Sequence, residues 1–562
     1  MIDSTRSKVF ILGLDGATFR VLDPLIASGR LPALASLRER GASGILRSTI
    51  PPNSPVGWSS FMTGKNAGKH GLFGFFALRP GQYDLALASG ADIRSPTVWE
   101  LLSEAGRRVA VINMPYTYPP RPINGAIVGG MDAPEWRQAT YPPEFARDLL
   151  AAVPEYTIEL NIGRRDRLGR KAWLRRHLRE RLDIRARAMR YILDVVNPDV
   201  FAGVFTETDR VHHFLWDDLD ERHPTYDARR AARYRSVVIE LYEFLDGVIG
   251  EFIERLDETS TLLVLSDHGF CGTYKTFFVN HWLWQRGWLA LADRPTIDVS
   301  SLMMRFLRQR PTLYRWARAA KNALPLPALR QRRMNRRALG VRAQLRVIDW
   351  SQTRAYYING QGVRLNVRGR EPMGIVEPEA YDRTVTALMD ELREIRDPET
   401  GAPVFARVAR RTEVYAGDWV DRAADIILLE NTGHDDPRKN FTTSGRIRRR
   451  ARDQFFRVKN IPGHHDDRGI LLAMGRGIKP GVCLQEARLI DLAPTVLYLS
   501  GVPIPRDMDG RVLTEMFTED FLAAHPPQYC DAESIGEPIS PGYDEAEQTA
   551  IEERLRDLGY LG

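Results

Sequence analysis

Leu262-Leu-Val-Leu-Ser-Asp267-His268-Gly269 decides the fold class. Four apolar residues, suited to a strand buried on both faces, end in two polar side chains and a glycine that lets the backbone turn sharply. The pattern recurs along the chain. Val9-Phe-Ile-Leu-Gly-Leu ends at Asp15-Gly16, Val200-Phe-Ala-Gly-Val-Phe ends near Asp209, Val109-Ala-Val-Ile ends at Asn113, and Gly469-Ile-Leu-Leu-Ala-Met precedes Gly475. Helical patterns lie between these runs. Tyr234 to Leu256 repeats apolar residues at Val237, Val238, Leu241, Leu245 and Val248, and Thr97 to Ala105 closes on Gly106, an expected C-terminal stop. Such alternation predicts an α/β fold with a central, mostly parallel sheet covered by helices on both faces. Ligands gather at the carboxyl ends of the strands in such sheets, and most of the polar residues just named sit there.

The stretches that break the alternation divide the 562 residues. Residues 1–131, 191–292, 347–366 and 461–515 are expected to form a discontinuous catalytic α/β core. Residues 132–190 read as an insertion, 293–346 as a basic helical insertion, 367–460 as an insertion or cap subdomain, and 516–562 as a C-terminal tail. Between Asp298 and Asp349 there is no acidic residue and there are thirteen Lys or Arg. A second basic cluster runs from Arg164 to Arg190. Basic clusters of this kind attract phosphate-rich partners through their summed field, or simply form a solvated helix face. Residues 300–345 could therefore lie on an anionic membrane surface; no specific nucleic acid is implied. No run approaches the ~18 apolar residues of a membrane span. The polar start, Met1 to Lys8, lacks a secretory pattern, so a cytoplasmic location is expected. Cys271, Cys483 and Cys530 lie far apart without a CxxC pair, which argues against a disulfide framework or a thiolate zinc site.

Five segments carry candidate chemistry. A carboxylate and an imidazole leaving one strand end, Asp267 and His268, can converge on one divalent ion. In Glu207-Thr-Asp209-Arg-Val-His-His213, a helix beginning after the strand would put Asp209 and His213, four apart, on one face. Pro462-Gly-His464-His465-Asp-Asp-Arg-Gly469 sets a histidine pair before another strand. Asp15-Gly16 follows the first strand. In Ile50-Pro-Pro-Asn53-Ser54-Pro-Val-Gly57-Trp58, a serine opens a helical run toward Gly64, where the positive dipole end favours an anion. Taken singly, each segment also has a structural reading: Asp15, Asp209 and Ser54 as helix caps, and His213 as a core histidine among aromatics.

Taken together, and in this order, they resemble the alkaline phosphatase superfamily, in particular its type I phosphodiesterase/nucleotide pyrophosphatase branch. Gly369-Arg-Glu-Pro-x-Gly-Ile-Val376, Asp491-Leu-Ala-Pro-Thr495 and Asp509-Gly-Arg511 also match that branch, so the resemblance runs from residue 8 to about 515. It implies an alkaline-phosphatase-like sheet with inserted cap segments. It also implies Ser54 as nucleophile and two divalent ions, zinc first and manganese second. One ion would be held by Asp15, Asp267 and His268, the other by Asp209, His213 and His465. His465 is preferred over His464 because it lies four residues before Gly469, as in similar proteins. The resemblance further implies hydrolysis of a small-molecule or headgroup phosphate ester through a phosphoserine-type intermediate, with Asn53 and Lys65 as candidate substrate contacts. The branch carries an asparagine three residues after its nucleophile, where this chain has Gly57. A phosphate monoesterase on the same fold is therefore an alternative, and a basic surface-binding scaffold with little activity is another. A sulfatase would need a C/S-x-P-x-R motif, which Ser54-Pro-Val-Gly-Trp58 lacks, and the serine block of a phosphoglycerate mutase is not found.

Overall fold

A computed structural model describes residues 7–78, 81–83, 85–160, 162, 165–292, 345, 347–433, 436–448, 455–457, 462–531 and 543–558. Nine strands build the main sheet: β1 (Lys8–Leu14), β2 (Ala42–Arg47), β3 (Val109–Met114), β4 (Gly125–Gly129), β5 (Thr140–Tyr141), β6 (Val200–Phe205), β7 (Ser260–Leu265), β8 (Arg468–Gly475) and β9 (Val482–Leu484). Their order is β9-β2-β8-β7-β1-β6-β3-β4-β5. All are parallel except β8, which runs against β2 and β7, and the edge strand β5.

The central strands read as continuous apolar runs because both faces are covered. Along β1 the side chains alternate. Phe10, Leu12 and Leu14 join a core with Leu34, Leu37, Val238 and Leu241, while Val9 and Ile11 join another with Trp58, Phe61, Trp99 and Leu492. Helices Pro32–Arg40, Arg167–Val196 and Ala228–Glu254 pack on the first face, and Ser54–Thr63, Val98–Glu104 and Leu492–Leu499 on the second. The sheet and two-sided helical cover expected from the sequence are thus present.

The boundaries are redrawn in three places. Within 132–190, β5 extends the main sheet, and the Arg167–Val196 helix buries Leu174, Leu178, Leu182 and Met189 in its core, so we place this segment with the sheet. Residues 347–366 supply Ala355–Ile358 and Gly362–Leu365, which join Ile426–Glu430 and Phe405–Arg410 in a separate antiparallel sheet; we group them with 367–460. The Glu545–Leu558 helix is docked through buried Ile551 and Leu555, with Arg554 donating to the carbonyls of Met131, Ala133 and Pro134. The basic segment 293–346, apart from Leu345, lies outside the described residues, and so does the suggested membrane contact through 300–345. Among the described residues, no helix is long and apolar enough to cross a membrane.

Candidate active site

Register brings the first residues together. Gly13 of β1 faces Leu265 of β7, so Asp15 and Asp267 emerge two residues later from neighbouring strand ends, about 4.8 Å apart in the sheet direction. On the other side Leu14 faces Phe205 of β6, and the Asp15 amide donates to the Phe205 carbonyl at 3.0 Å. The chain then enters the helix Glu207–Leu219, with Asp209 in its first turn.

Asp15, Asp267 and His268 form one triad, all buried. His268 Nε2 lies 3.6 Å from Asp15 Oδ1 and 3.3 Å from Asp267 Oδ2. Ser54 points at them, its Oγ 3.5 Å from Asp15 Oδ1 and 3.3 Å from His268 Nε2. The cap of the Ser54–Thr63 helix is Asn53, whose Oδ1 accepts from the Val56 amide at 3.1 Å, which frees the Ser54 hydroxyl from capping. Pro55 has no amide proton and that of Val56 is taken by Asn53, so this helix end offers an anion its field more than its donors. Asp15 is likewise no cap, since Thr18 caps the next helix.

The second triad is Asp209, His213 and His465. Asp209 and His213 share a helix face, 3.4 Å apart. His465 arrives from Gly463–Asp466, which pairs antiparallel with Gly269–Gly272 and sets His465 opposite Phe270. Its Nε2 is 3.2 Å from both Asp209 Oδ1 and His213 Nε2. Its neighbour His464 stacks on it, ring centres 5.1 Å apart, and lines the same cavity, but belongs to neither triad. The two triads abut, with the His268 and His465 rings stacked at 3.9 Å.

Three observations fit these groups to cations. Each Nδ1 faces a backbone carbonyl at 3.0 Å: Gly269 for His268, Gly463 for His213 and Pro52 for His465. A carbonyl only accepts, so each Nδ1 carries a proton, which leaves each Nε2 as the atom that could ligate a cation, the orientation seen for metal-ligating histidines. Asp267 Oδ2 is buried without a hydrogen-bond partner among the described residues. The carboxylates also crowd one another. Burial, then the charges of Asp267 and Asp209, push Asp15 well above its usual range, and burial with the Asp209 charge pushes Asp267 up to about 7. Asp209 is held well below its usual range against the opposing effect of burial, by His213, His465 and Arg210. Burial, then the neighbouring His268, lowers His465 to about 3, which keeps it neutral. A divalent cation would relieve the excess negative charge and supply the missing partner.

Several contributors had no signal in the sequence. Trp58 Nε1 donates to Asp15 Oδ2 at 3.4 Å, the Gly16 amide to Asp267 Oδ1 at 3.3 Å, and the Ser48 hydroxyl to the Asp267 carbonyl at 2.6 Å. Buried Arg210 bridges Asp209 and Glu159. Lys65 needs correcting as a substrate contact: it follows the far end of the Ser54–Thr63 helix, ~15 Å along the axis from Ser54 at 1.5 Å per residue, and pairs with Asp507. At Gly57 a Cβ would lie 3.2 Å from Asp267 Cβ and 3.5 Å from its Oδ2, so the absence of a side chain there leaves Asp267 its room. A cavity of about 630 Å³ begins at Pro52, Asn53, His213 and His465 and extends to Phe278, Tyr357 and Leu428 of the smaller sheets, a size typical of small-molecule sites.

A serine hydroxyl thus lies beside two carboxylate–imidazole triads, each able to hold a metal ion, at the strand ends of an α/β sheet. The family model described as type I phosphodiesterase/nucleotide pyrophosphatase matches residues 9–439, and the chain belongs to that family; it is a phosphoric ester hydrolase. No curated protein sequence matches. Similar solved structures include phosphonoacetate hydrolase from Sinorhizobium meliloti 1021 with phosphonoformate, 16% identical over 89% of this chain and 96% of that one, with a TM-score of 0.47. Murine ectonucleotide pyrophosphatase/phosphodiesterase 5 in complex with AMP is 12% identical over 91% and 100% of the two chains, with a TM-score of 0.48.

Proposed function

We propose that this protein hydrolyses phosphate esters through Ser54 as nucleophile, with one divalent ion held by Asp15, Asp267 and His268 and a second by Asp209, His213 and His465. What supports the reading above all is the Ser54 hydroxyl set against the first triad with the second triad adjoining it. Cations in these triads would lower the pKa of an attacking hydroxyl and neutralise phosphoryl charge, zinc being the better match to mixed carboxylate and imidazole donors and manganese the second.

Ser54 Oγ attacks phosphorus; the Oγ–P bond forms as the P–O bond to the departing alcohol breaks. The hydroxyl proton passes to solvent and the alcoholate takes one back. Water then attacks the phosphoserine, the Oγ–P bond breaks, Ser54 regains its proton and phosphate, or a phosphate monoester, leaves. Asn53 caps the helix through Oδ1 and lines the cavity, so its Nδ2 is the donor we assign to a phosphoryl oxygen.

A diester is the first reading, in line with the family. Gly57, which offers no side-chain amide beside Ser54, favours a monoester as the second. Turnover of a phosphate monoester, a diester, a nucleotide analogue and a sulfate ester should be compared with zinc and manganese supplied separately, alongside the metal content of the purified protein. Hydrolysis of a phosphate ester with about two ions per chain is expected. A protein that binds no divalent ion, or that cleaves only the sulfate ester, would overturn the proposal.

A further inference from the structure

The cavity that starts at His213 and His465 is far larger than a phosphoryl group needs, and its walls change character along their length. Phe75, Phe278, Tyr357 and Leu428 give part of it an apolar lining. A second cavity of about 200 Å³ is lined by Phe278, Arg446, Ile447, Arg448 and Arg457. Three of those residues, Phe278, Arg446 and Arg457, also line the first cavity, so the smaller recess and the larger cavity share a basic wall.

Separate strands set this wall. Phe278 ends Lys275–Phe278, which pairs with Phe441–Ser444 on one side and Phe456–Arg457 on the other. Arg446 follows the first neighbour by two residues and Arg457 ends the second. The Arg448 guanidinium lies 5.3 Å from the Phe278 ring centre. Arg446 and Arg457 are exposed, and neither has an acidic partner among the described residues. That sets them apart from Arg47 in the same lining, which Asp467 neutralises at 2.7 Å. Unpaired guanidiniums around a concave space beside an aromatic ring recognise a planar or tetrahedral anion.

We propose that the recess is a second anion subsite, and that the substrate is a phosphate ester with an apolar body and a second negative group, phosphoryl or carboxylate, at its other end. This rests on the two-metal reading for the end that reacts. The scissile phosphoryl group sits at the triads, the apolar body passes between Phe75, Phe278 and Tyr357, and the distal anion meets Arg446 and Arg457.

The test is calorimetric binding to the zinc-supplied full chain. The probes are non-hydrolysable alkylphosphonates, the α,ω-bisphosphonates and the ω-carboxyalkylphosphonates, each over a series of methylene counts. One chain length should give a second-anion gain of roughly ten- to hundredfold over the matching alkylphosphonate, the size expected for hydrogen bonds to charged groups. In the Arg446→Ala/Arg457→Ala double variant the affinity ratio of bis- to monophosphonate should collapse toward one, and Arg446→Lys should restore part of it. Comparing the two second-anion series tells phosphoryl from carboxylate. A second anion that adds nothing at any length, or a gain that survives the double variant, overturns the recess while leaving the metal reading intact. Failure of every phosphonate to bind with metal supplied overturns both.

Discussion

Replacing Ser54 with alanine separates chemistry from fold more cleanly than any other change at this site. The hydroxyl caps nothing, because Asn53 holds the helix start, and its two contacts, at 3.3 and 3.5 Å, are at the long limit of hydrogen bonding. Deleting it should cost less than ~1 kcal/mol of stability, and alanine suits the first turn of a helix. Loss of the nucleophile should lower kcat by about a thousandfold or more, ~4 kcal/mol of barrier at 1.36 kcal/mol per decade. Asn53→Ala gives the opposite profile: loss of the cap costs ~1 kcal/mol of stability, while the Ser54 chemistry persists with a raised KM. The assay is steady-state release of 4-nitrophenolate from the bis- and mono-esters, with urea midpoints and metal content measured on the same preparations. Acid quenching during turnover should trap phosphate on the parent and not on Ser54→Ala. A Ser54→Ala enzyme that keeps more than a tenth of the parent's kcat with both metals bound refutes the nucleophile assignment. If its urea midpoint instead collapses, the account of helix capping is wrong.

Metal stoichiometry should distinguish the adjacent histidines: His465→Ala should drop bound metal from about two ions to about one, and His464→Ala should leave it at about two, as read by elemental mass spectrometry. Chelation should have a pH-dependent cost. With Asp267 pushed up to about 7 from 3.8, the metal-free fold binds more protons than the unfolded chain between those values, so its stability falls as pH rises through that window. Metal offsets this by favouring the ionised carboxylate, so the gain in unfolding temperature on adding zinc should be larger at about pH 8 than at about pH 5; an equal gain at both would contradict the charge crowding. Arg210→Met should destabilise the protein by about 3–5 kcal/mol in urea unfolding, because it strands buried Glu159 and Asp209 without their cation. Adding Glu159→Gln should recover part of that loss, and a double variant no better than the single would point to packing instead.

The strand ends were legible because buried strands of a parallel sheet leave continuous apolar runs, and the residue after each run marks the edge where ligands collect. Asp15, Asp209, Asp267 and His268 could be found that way. His213 followed from helical spacing, and His465 required family resemblance, since periodicity does not say which of two adjacent residues in a short strand turns inward. The cavity and its arginine recess left no mark in the sequence. They arise where Asn53, Phe278, Tyr357 and Arg446, far apart along the chain, meet in space. Lys65 looked suitable because it is close to Ser54 in sequence, yet a ten-residue helix carries it to the opposite end. Residues 347–366 are expected in the core from the sequence, whereas the partners of their Gly362–Leu365 strand lie in the antiparallel sheet.

β8 lies in the interior of the main sheet, between β2 and β7, although it comes from residues 468–475. A growing polypeptide therefore carries two open strand edges, on β2 and β7, that stay unsatisfied until residues 468–475 have been synthesised. His465, three residues ahead of β8, arrives in the same late step. Nascent and prematurely terminated chains should thus be sticky, and should depend on chaperones until that last interior strand slides into place.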